Sequence, residues 1–381
     1  MHIPDIGSQL NKWLRDIAKM AEAAVEKPRK APGGTEPPGG SPAAQPGGVE
    51  SPEGSPAAKP GGLYSLLDRP PQEIADGRML ALCRAQVEGC GEDACLAARD
   101  GDRVFVGAFD GCGGSGAKVY PAFGGHTGAW AASRAAALAA RGWFMDGAPG
   151  GPEADDSLAA CIERALKACG DREADGPRLL GSLSREFPTT VAAFAVSAKG
   201  DEADFYWCGD SRCYALDADG LHQITADDAA IRDAMRNLRE DAPMTNVACA
   251  SRPFRLHHAR LAVKKPAVLF AATDGCFGYL PSPMAFERLL LETLRGAAGM
   301  KSWRKALDAR IRAVSGDDYT LVAWLHRFDS YKAMRKALSG RLARLNREFP
   351  PDAASEDALF AQWERYRPGY ERMLTDDDER G

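Results

Sequence analysis

The chain has 381 residues, of which 45% are hydrophobic and 27% are charged, a balance typical of a globular domain. The formal net charge of −5 argues against a general nucleic-acid-binding surface, and no apolar run approaches the roughly 18 residues that a membrane helix needs. The first residues lack the basic-then-apolar order of a secretory signal, so we expect a cytoplasmic protein without a membrane span.

The first segment, residues 1–27, predicts an amphipathic helix. Leu10, Trp13, Leu14 and Ile17 recur at helical spacing and give it one apolar face. Since a lone helix of this length is marginal in water, we expect it to dock on the main domain, on a second copy or on a protein partner. The sequence leaves these three possibilities open.

A Pro/Gly-rich tract follows over residues 28–62, in which GSPAAQPGG recurs as GSPAAKPGG. Such a tract cannot bury enough apolar surface to order itself, so it predicts a flexible linker. The chain is therefore expected to carry a flexible N-terminal extension.

Residues 63–327 alternate between strand-like and helix-like stretches and predict one globular domain. The strand candidates are ACLAAR, RVFVGAFD, TTVAAFAVS, ADFYWCGD, RCYALD, AVLFAATD and YTLVAWLH. The helix candidates are TGAWAASRAAALAARGWF, DDSLAACIERALKACG, MAFERLLLETLRG and SWRKALDARIRAV. DFYWCGDSRCYAL predicts a hairpin that turns at GDSR, and hairpins mixed with helices favour antiparallel sheets. Residues 328–381 predict a helical C-terminal extension.

The ten cysteines form no C-x-x-C pair. A chain of this length can build its core without disulfides, and a structural zinc site usually shows closely paired cysteines. We therefore expect reduced thiols, most of them in the core.

The stretch VFVGAFDGCGGSGAKVY, residues 104–120, allows three interpretations. A dinucleotide loop should open directly into a helix and meet an acidic residue about 20 positions later. Here Pro121 interrupts, and residues 130–145 contain no Asp or Glu. A phosphate-binding P-loop fails because Ala117 and Lys118 follow Gly116, and a hairpin fails because no strand resumes after Gly114.

A metal site is the third interpretation, because a second stretch has the same form. VGAFDGC and VLFAATDGC each run from an apolar strand into Asp-Gly-Cys, at Asp110 and Asp274. A carboxylate at a buried strand end is costly unless its charge is paired. Glu92 and Asp93 precede another strand, and Asp317 precedes a fourth. Hard divalent cations with oxygen ligands would offset these charges.

The order of these motifs resembles the metal-dependent protein phosphatases of type 2C, over roughly Leu80 to His326. The matching stretches are GED at 91–93, FDG at 109–111, TTVAAF at 189–194, WCGDSRCYAL at 207–216, AATDG at 271–275 and DDYTLV at 317–322. Asp318 stands where the family's last motif has Asn.

The resemblance implies an α+β fold, a four-layer α-β-β-α sandwich of two antiparallel sheets flanked by helices. It implies two manganese or magnesium ions at one end of the sandwich. Asp110 would bridge them, the Gly111 carbonyl would contribute, Asp274 and Asp317 would hold one ion, and Glu92 and Asp93 would act directly or through waters. A bridging hydroxide would then hydrolyse phosphoserine or phosphothreonine in a protein substrate.

Three positions depart from the family pattern. Cys112 replaces the histidine that protonates the leaving group, Glu88 replaces the arginine that binds phosphate, and Gly278 replaces an acidic residue that helps a third metal. His126, just before a helix, is our candidate replacement for the histidine; the alternative is that it caps the helix or packs there.

Replacements for the other two positions are weaker. Lys118 and Arg134 are candidates for the arginine, although each also suits a surface charge. Glu186 is a candidate for a third metal. Asp210 and Arg212, in GDSR, are expected to be structural residues of the turn.

These departures leave a second function open, a catalytically impaired pseudophosphatase that keeps the fold as a partner-binding module. A domain without activity has no need of Asp110, Asp274 and Asp317 together, and all three are present. We therefore favour an active enzyme.

Overall fold

The computed structural model describes residues 77–147, 154–170, 185–240 and 242–375, and the predictions for residues 1–27 and 28–62 lie outside them. Within the described residues the strands are β1 Met79–Arg84, β2 Ala94–Asp100, β3 Arg103–Phe109, β4 Val119–Tyr120, β5 His126–Thr127, β6 Val191–Ser197, β7 Glu202–Cys208, β8 Arg212–Leu216, β9 Leu221–Gln223, β10 His257–Ala262, β11 Ala267–Ala272 and β12 Tyr319–His326. The α-helices are α1 Gly113–Gly116, α2 Gly128–Met145, α3 Ala154–Gly170, α4 Ala234–Asn237, α5 Pro283–Gly296, α6 Met300–Arg312, α7 Tyr331–Leu338, α8 Arg341–Glu348 and α9 Glu356–Tyr370.

Ten of these strands form two antiparallel sheets of five, in the orders β1-β12-β11-β8-β9 and β10-β7-β6-β3-β2. One apolar cluster lies between the sheets. A second packs α2 and α3 on the outer face of one sheet, and a third packs α5, α6 and the C-terminal helices on the other. The predicted four-layer α-β-β-α sandwich is confirmed.

Strand β12 shows why the strand sequences are apolar almost throughout. Leu321, Ala323 and Leu325 pack on the helix side, while Val322 and Trp324 pack against the opposite sheet. Successive side chains of a strand point to opposite faces, and here both faces are covered. A continuous apolar run is therefore what a central strand of this sandwich requires.

All seven strand candidates are strands in the structure, but the predicted hairpin at GDSR is wrong. β7 pairs with β6 and β10, whereas β8 pairs with β9 and β11 in the other sheet. Residues 209–211 carry the chain across the sandwich. Gly209 has a φ of 95°, and a Cβ there would lie 2.8 Å from Thr190 Cγ2, so the crossing passes close to the strand below it.

The C-terminal extension is part of the globular body. Trp363, Tyr366 and Tyr370 of α9 are buried in the same apolar cluster as α5. Glu287 of α5, fully buried, accepts two hydrogen bonds from Arg341 at 2.6 and 3.0 Å and one from the Tyr366 hydroxyl at 2.6 Å. No helix in the described ranges is long and apolar enough to cross a membrane.

The buried ion pair gives a test of this docking. Glu287→Ala should lower the free energy of unfolding by about 3–5 kcal/mol, because it leaves the Arg341 charge buried without its partner. Glu292→Ala on the same helix is the control, since its 3.3 Å pair with Arg310 is exposed and should contribute at most about 1 kcal/mol. Urea denaturation measures both; equal losses would mean that the extension does not depend on this contact.

Candidate active site

One end of the sandwich gathers the acidic residues that flank the strands. The antiparallel registers align the strand termini within each sheet at this end. The acidic residues there are Asp110 after β3, Asp210 after β7, Asp274 after β11, Glu92 and Asp93 before β2, and Asp317 before β12. We call this group the carboxylate cluster.

Asp110 and Asp274 lie at the centre of the carboxylate cluster, where a side-chain hydrogen bond joins them across the two sheets. Desolvation, followed by the charges of Asp93, Asp274, Asp210 and Asp317, raises the pKa of Asp110 well above its usual value. Desolvation and Asp317 raise the pKa of Asp274 to about 6. Two carboxylates in contact cannot both carry a full charge without a proton or a cation between them.

The Thr-rich motif holds Asp110 in place. The Thr190 hydroxyl accepts a hydrogen bond from the Asp110 backbone N–H at 3.1 Å, and the Thr189 hydroxyl donates to the Asp110 carbonyl at 2.8 Å. Thr190 also shares a 2.7 Å hydrogen bond with the Ser211 hydroxyl in the crossing segment. The motif therefore links the two sheets where the carboxylates meet.

Asp93 and Glu92 occupy different environments. Asp93 is 4% exposed and accepts a hydrogen bond from the Thr273 hydroxyl at 2.8 Å; its burial raises its pKa well above the usual value. Glu92 is half-buried and accepts a hydrogen bond from Thr127, and desolvation raises its pKa as well.

The carboxylate of Asp318 braces the loop before these two residues. It accepts hydrogen bonds from the backbone N–H groups of Gln86 at 2.7 Å and Glu92 at 2.5 Å. The neighbouring Asp317 is exposed and accepts from the Asp318 N–H at 2.7 Å. Asp318 thus positions the motif of Glu92 from a distant part of the chain.

The glycine after each central aspartate allows close backbone contact. A Cβ on Gly111 would lie 2.5 Å from the Ala129 carbonyl oxygen, and one on Gly275 would lie 1.8 Å from that of Asp318. Real Cβ atoms do not approach oxygens this closely, so the sequence Asp-Gly is a packing requirement at both positions.

His126 lies beside the carboxylate cluster, in a cavity of about 360 Å³ that Asp93, Trp130 and Arg134 also line. Its ring stacks on Trp130, with centroids 4.1 Å apart and planes 9° from parallel. This contact is the packing that the sequence left open, and both His126 and Asp93 line the cavity.

The suggestion that Arg134 is a surface charge is wrong. Its side chain is buried and donates to the carbonyls of Gly91 at 3.1 Å, Trp130 at 3.2 Å and Glu92 at 3.3 Å. Arg134 therefore braces the loop that carries Glu92. Lys118 lies over the Tyr120 ring, and Glu186 is exposed.

The sequence predicts a structural role for Asp210 in the turn, and the structure places its carboxylate close to those of Asp110 and Asp274. Its Oδ1 atom is buried without a hydrogen-bond partner among the described residues, and desolvation, then Asp274 and Asp227, raises its pKa to about 8. The charge of Arg212 offsets this rise only in part, because that side chain bonds Asp227 at 2.6 and 2.8 Å. The available signal was that Asp210, like Asp110 and Asp274, lies within two residues of the end of a buried strand.

The donor chemistry of this cluster fits a hard divalent cation. Carboxylate oxygens are the ligands such ions prefer. The negative charge on Asp210, whose Oδ1 has no hydrogen-bond partner in the described ranges, and on the pair Asp110–Asp274 is not fully balanced by a neighbouring cation. As the side chains lie, no three His, Cys, Asp or Glu residues in the described ranges converge on a single metal position. The carboxylates would therefore have to rotate to share an ion.

The thiols of Cys112 and Cys276, beside the carboxylate cluster, are protected from oxidation. Cys276 is buried and donates to the Thr320 carbonyl at 3.2 Å. Desolvation and neighbouring carboxylates raise the pKa of both Cys112 and Cys276 well above the usual value. Thiolates, which react with oxidants, are therefore disfavoured at both positions.

Comparison with known families agrees with this geometry. The family model described as Protein phosphatase 2C matches residues 84–314. The chain belongs to the protein phosphatase 2C family. No curated protein sequence matches it.

Solved structures share the phosphatase 2C fold. The serine/threonine phosphatase Stp1 from Staphylococcus aureus is 14% identical, with a TM-score of 0.51 over 65% of this chain and 94% of Stp1. A bacterial serine phosphatase is 15% identical, with a TM-score of 0.50 over 65% of this chain and 97% of its own. A C. elegans sex determining protein is 13% identical, with a TM-score of 0.52 over 68% of this chain and 67% of its own. At these identities the likeness is one of fold.

Asp210 can be tested as a member of the carboxylate cluster. Without metal, Asp210→Asn should raise the free energy of unfolding by about 1–3 kcal/mol, because the wild-type carboxyl must take up a proton or carry its charge in a desolvated site, and the amide does neither. Added Mn²⁺ should stabilise the variant less than the wild type, since one ligand oxygen is changed. Thermal denaturation with and without Mn²⁺ measures both effects.

Asp102→Asn is the matched control, because Asp102 forms only an exposed 3.4 Å pair with Lys199. It should leave the response to Mn²⁺ unchanged. If Asp210→Asn destabilises the metal-free protein and keeps the full response to Mn²⁺, Asp210 is a structural turn residue.

Proposed function

We propose that this phosphatase 2C protein is a metal-dependent phosphatase of phosphoserine and phosphothreonine in protein substrates. The observation that carries the proposal is the contact of Asp110 with Asp274 at one end of the sandwich, with Asp93, Asp210 and Asp317 close enough to act on it. A hydrolase that acts on a dianionic phosphoryl group needs positive charge at its centre. Carboxylates in this arrangement are suitable ligands for the cations that supply that charge.

In this proposal Asp110, Asp274 and Asp317 hold two Mn²⁺ or Mg²⁺ ions, with the Gly111 carbonyl as a further ligand. Glu92 and Asp93 act directly or through waters. Bound ions would supply Lewis acidity, lowering the pKa of a solvent molecule and offsetting charge on the phosphoryl oxygens.

A third ion has a candidate ligand in Asp210, whose Oδ1 atom is unpartnered. Glu186, the candidate from the sequence, is exposed.

The chain's own residues position the reacting groups. Thr189 and Thr190 fix the backbone of Asp110, and Thr273 orients the Asp93 carboxylate. His126 is our candidate for the group that gives a proton to the leaving serine or threonine oxygen. Stacking on Trp130 fixes the plane of the ring, and a positioned general acid contributes about 10²–10⁴ in rate.

A partner-binding pseudophosphatase is the second candidate, favoured by one observation. Cys112 stands where the family has its histidine, and desolvation and Asp110 raise the pKa of this thiol, so it is a poor proton donor. Glu88, in place of the phosphate-binding arginine, is exposed and acidic. Retention of the carboxylate cluster argues for the enzyme.

The decisive variant is Asp110→Asn, measured by phosphate release from a phosphothreonine peptide with added Mn²⁺. We expect kcat to fall by at least about a hundredfold, because the central oxygen ligand loses its charge. Asp102→Asn should retain full activity, and removal of metal with EDTA should abolish wild-type turnover until Mn²⁺ is restored.

Equal turnover in wild type and Asp110→Asn would reject the metal-dependent mechanism. A folded wild-type protein that binds no Mn²⁺ by calorimetry and releases no phosphate would instead support the pseudophosphatase.

A further inference from the structure

Tyr279 is an exposed aromatic residue at the rim of the carboxylate cluster. Its side chain is 49% exposed. It follows the turn at Asp274, where the Gly278 N–H donates to the Asp274 carbonyl at 2.6 Å. The backbone that carries Tyr279 is therefore tied directly to a central aspartate of the cluster.

The Tyr279 ring lies across Gly316, the residue before Asp317. A Cβ on Gly316 would be 2.8 Å from Tyr279 Cε1, 3.1 Å from Cζ and 3.3 Å from the hydroxyl oxygen. The phenol thus occupies the space that any side chain at position 316 would fill. This contact places the hydroxyl end of the ring beside the loop that presents Asp317.

The Tyr279 hydroxyl is protonated at neutral pH, because an unperturbed phenol has a pKa of about 10. Desolvation, then the carboxylates of Asp317, Asp274 and Asp110 in that order, raises the pKa of the phenol above its usual value. A neutral phenol is a hydrogen-bond donor at neutral pH. In the described ranges this hydroxyl has no hydrogen-bond partner, and exposure leaves it open to a ligand.

Three of the described arginines, Arg84, Arg134 and Arg212, are already bound by protein groups. Arg84 bonds both oxygens of Asp308 at 3.0 Å, Arg212 bonds Asp227, and Arg134 donates to backbone carbonyls. Glu88 carries the wrong charge for a phosphate ligand. A phosphoryl group entering beside Asp317 would meet the Tyr279 hydroxyl as an accessible donor.

We propose that the Tyr279 hydroxyl donates a hydrogen bond to a phosphoryl oxygen of the substrate and of the product phosphate. This inference rests on the proposed phosphatase function. Tyr279 would be a substrate-contacting residue that supplies a donor without adding charge to the cluster. No covalent bond forms or breaks at the phenol, and its proton stays on the hydroxyl oxygen.

The direct test uses inorganic phosphate as the probe with the full chain and Mn²⁺. Tyr279→Phe removes only the hydroxyl, and we expect it to weaken phosphate binding by calorimetry about tenfold or more, the usual effect of losing a hydrogen bond to a charged group. The value of kcat/KM should fall by a similar factor for a phosphothreonine peptide and for an aryl phosphate, because both carry the same phosphoryl oxygens.

Tyr331→Phe is the matched control. Its hydroxyl donates to the carbonyls of Leu294 and Ala297 at 3.0 and 3.1 Å, on the outer helical layer. It removes the same chemical group and should leave phosphate affinity unchanged. Circular dichroism of each variant checks that the fold is retained.

Wild-type phosphate affinity in Tyr279→Phe would overturn the inference. A second result would also overturn it: Tyr279→Ala lowers kcat/KM for the peptide only, and Tyr279→Phe lowers it for neither substrate. In that case the ring would contact the peptide and the hydroxyl would not contact the phosphate. The proposed function fails separately, when Asp110→Asn turns over substrate as fast as wild type. Phosphate binding by calorimetry does not depend on turnover and so judges Tyr279 in either case.

Discussion

The rest of this molecule depends on one constraint, the repulsion between carboxylates that are held together in a desolvated site. The ends of three strands and the beginnings of two others bring carboxylates from both sheets to one edge of the sandwich, where their pKa values rise because the charged forms are poorly solvated. Such an arrangement costs folding free energy unless a cation is bound. The apolar layer between the sheets and the two helical layers outside them must outweigh that cost. Around the carboxylates, threonine hydroxyls and close glycine contacts fix the backbone, so the repulsion cannot be relieved by the chain moving apart.

The C-terminal extension contributes to the same rigidity. The family match ends at residue 314, yet β12 continues to His326 and the helices beyond it complete the outer layer. The Tyr370 hydroxyl lies 3.5 Å from Arg212 and 3.4 Å from the Tyr214 hydroxyl, both on β8. Arg212 follows the crossing segment that presents Asp210. The extension therefore supports the strand that enters the carboxylate cluster, and it does so through buried polar contacts that require defined geometry.

The site keeps the acidic residues of its family and changes the residues that would handle the phosphoryl group. Cys112, Glu88 and Gly278 are each poor replacements in chemical terms, but their neighbourhood is not empty. His126 stacks in the cavity beside Asp93 on one side, and Tyr279 covers Gly316 on the other. The function of the cluster would be to hold positive charge, and in our proposal the donors to the substrate would come from other positions, His126 and Tyr279. A divergent phosphatase can exchange the residues that donate to the substrate, because donors at different positions can reach the same phosphoryl oxygens. The ligands of a metal ion must instead converge on one point.

The sequence by itself determined the elements that depend on local pattern. The apolar runs of the strand candidates, including YTLVAWLH and the runs that lead to Asp110 and Asp274, predicted strands that the structure contains. The order of motifs also predicted the family and the sandwich. Tertiary structure alone decided that β7 and β8 belong to different sheets, that Asp210 joins the carboxylate cluster and that Arg134 is buried. The periodicity and composition of a sequence indicate whether a residue is buried and whether it lies in a helix or a strand. The partner of a strand depends on contacts between segments that lie far apart in the chain. The GDSR segment has the composition of a hairpin turn, and only the competing pairing of β7 with β6 and β10, and of β8 with β9 and β11, converts it into a crossing between sheets.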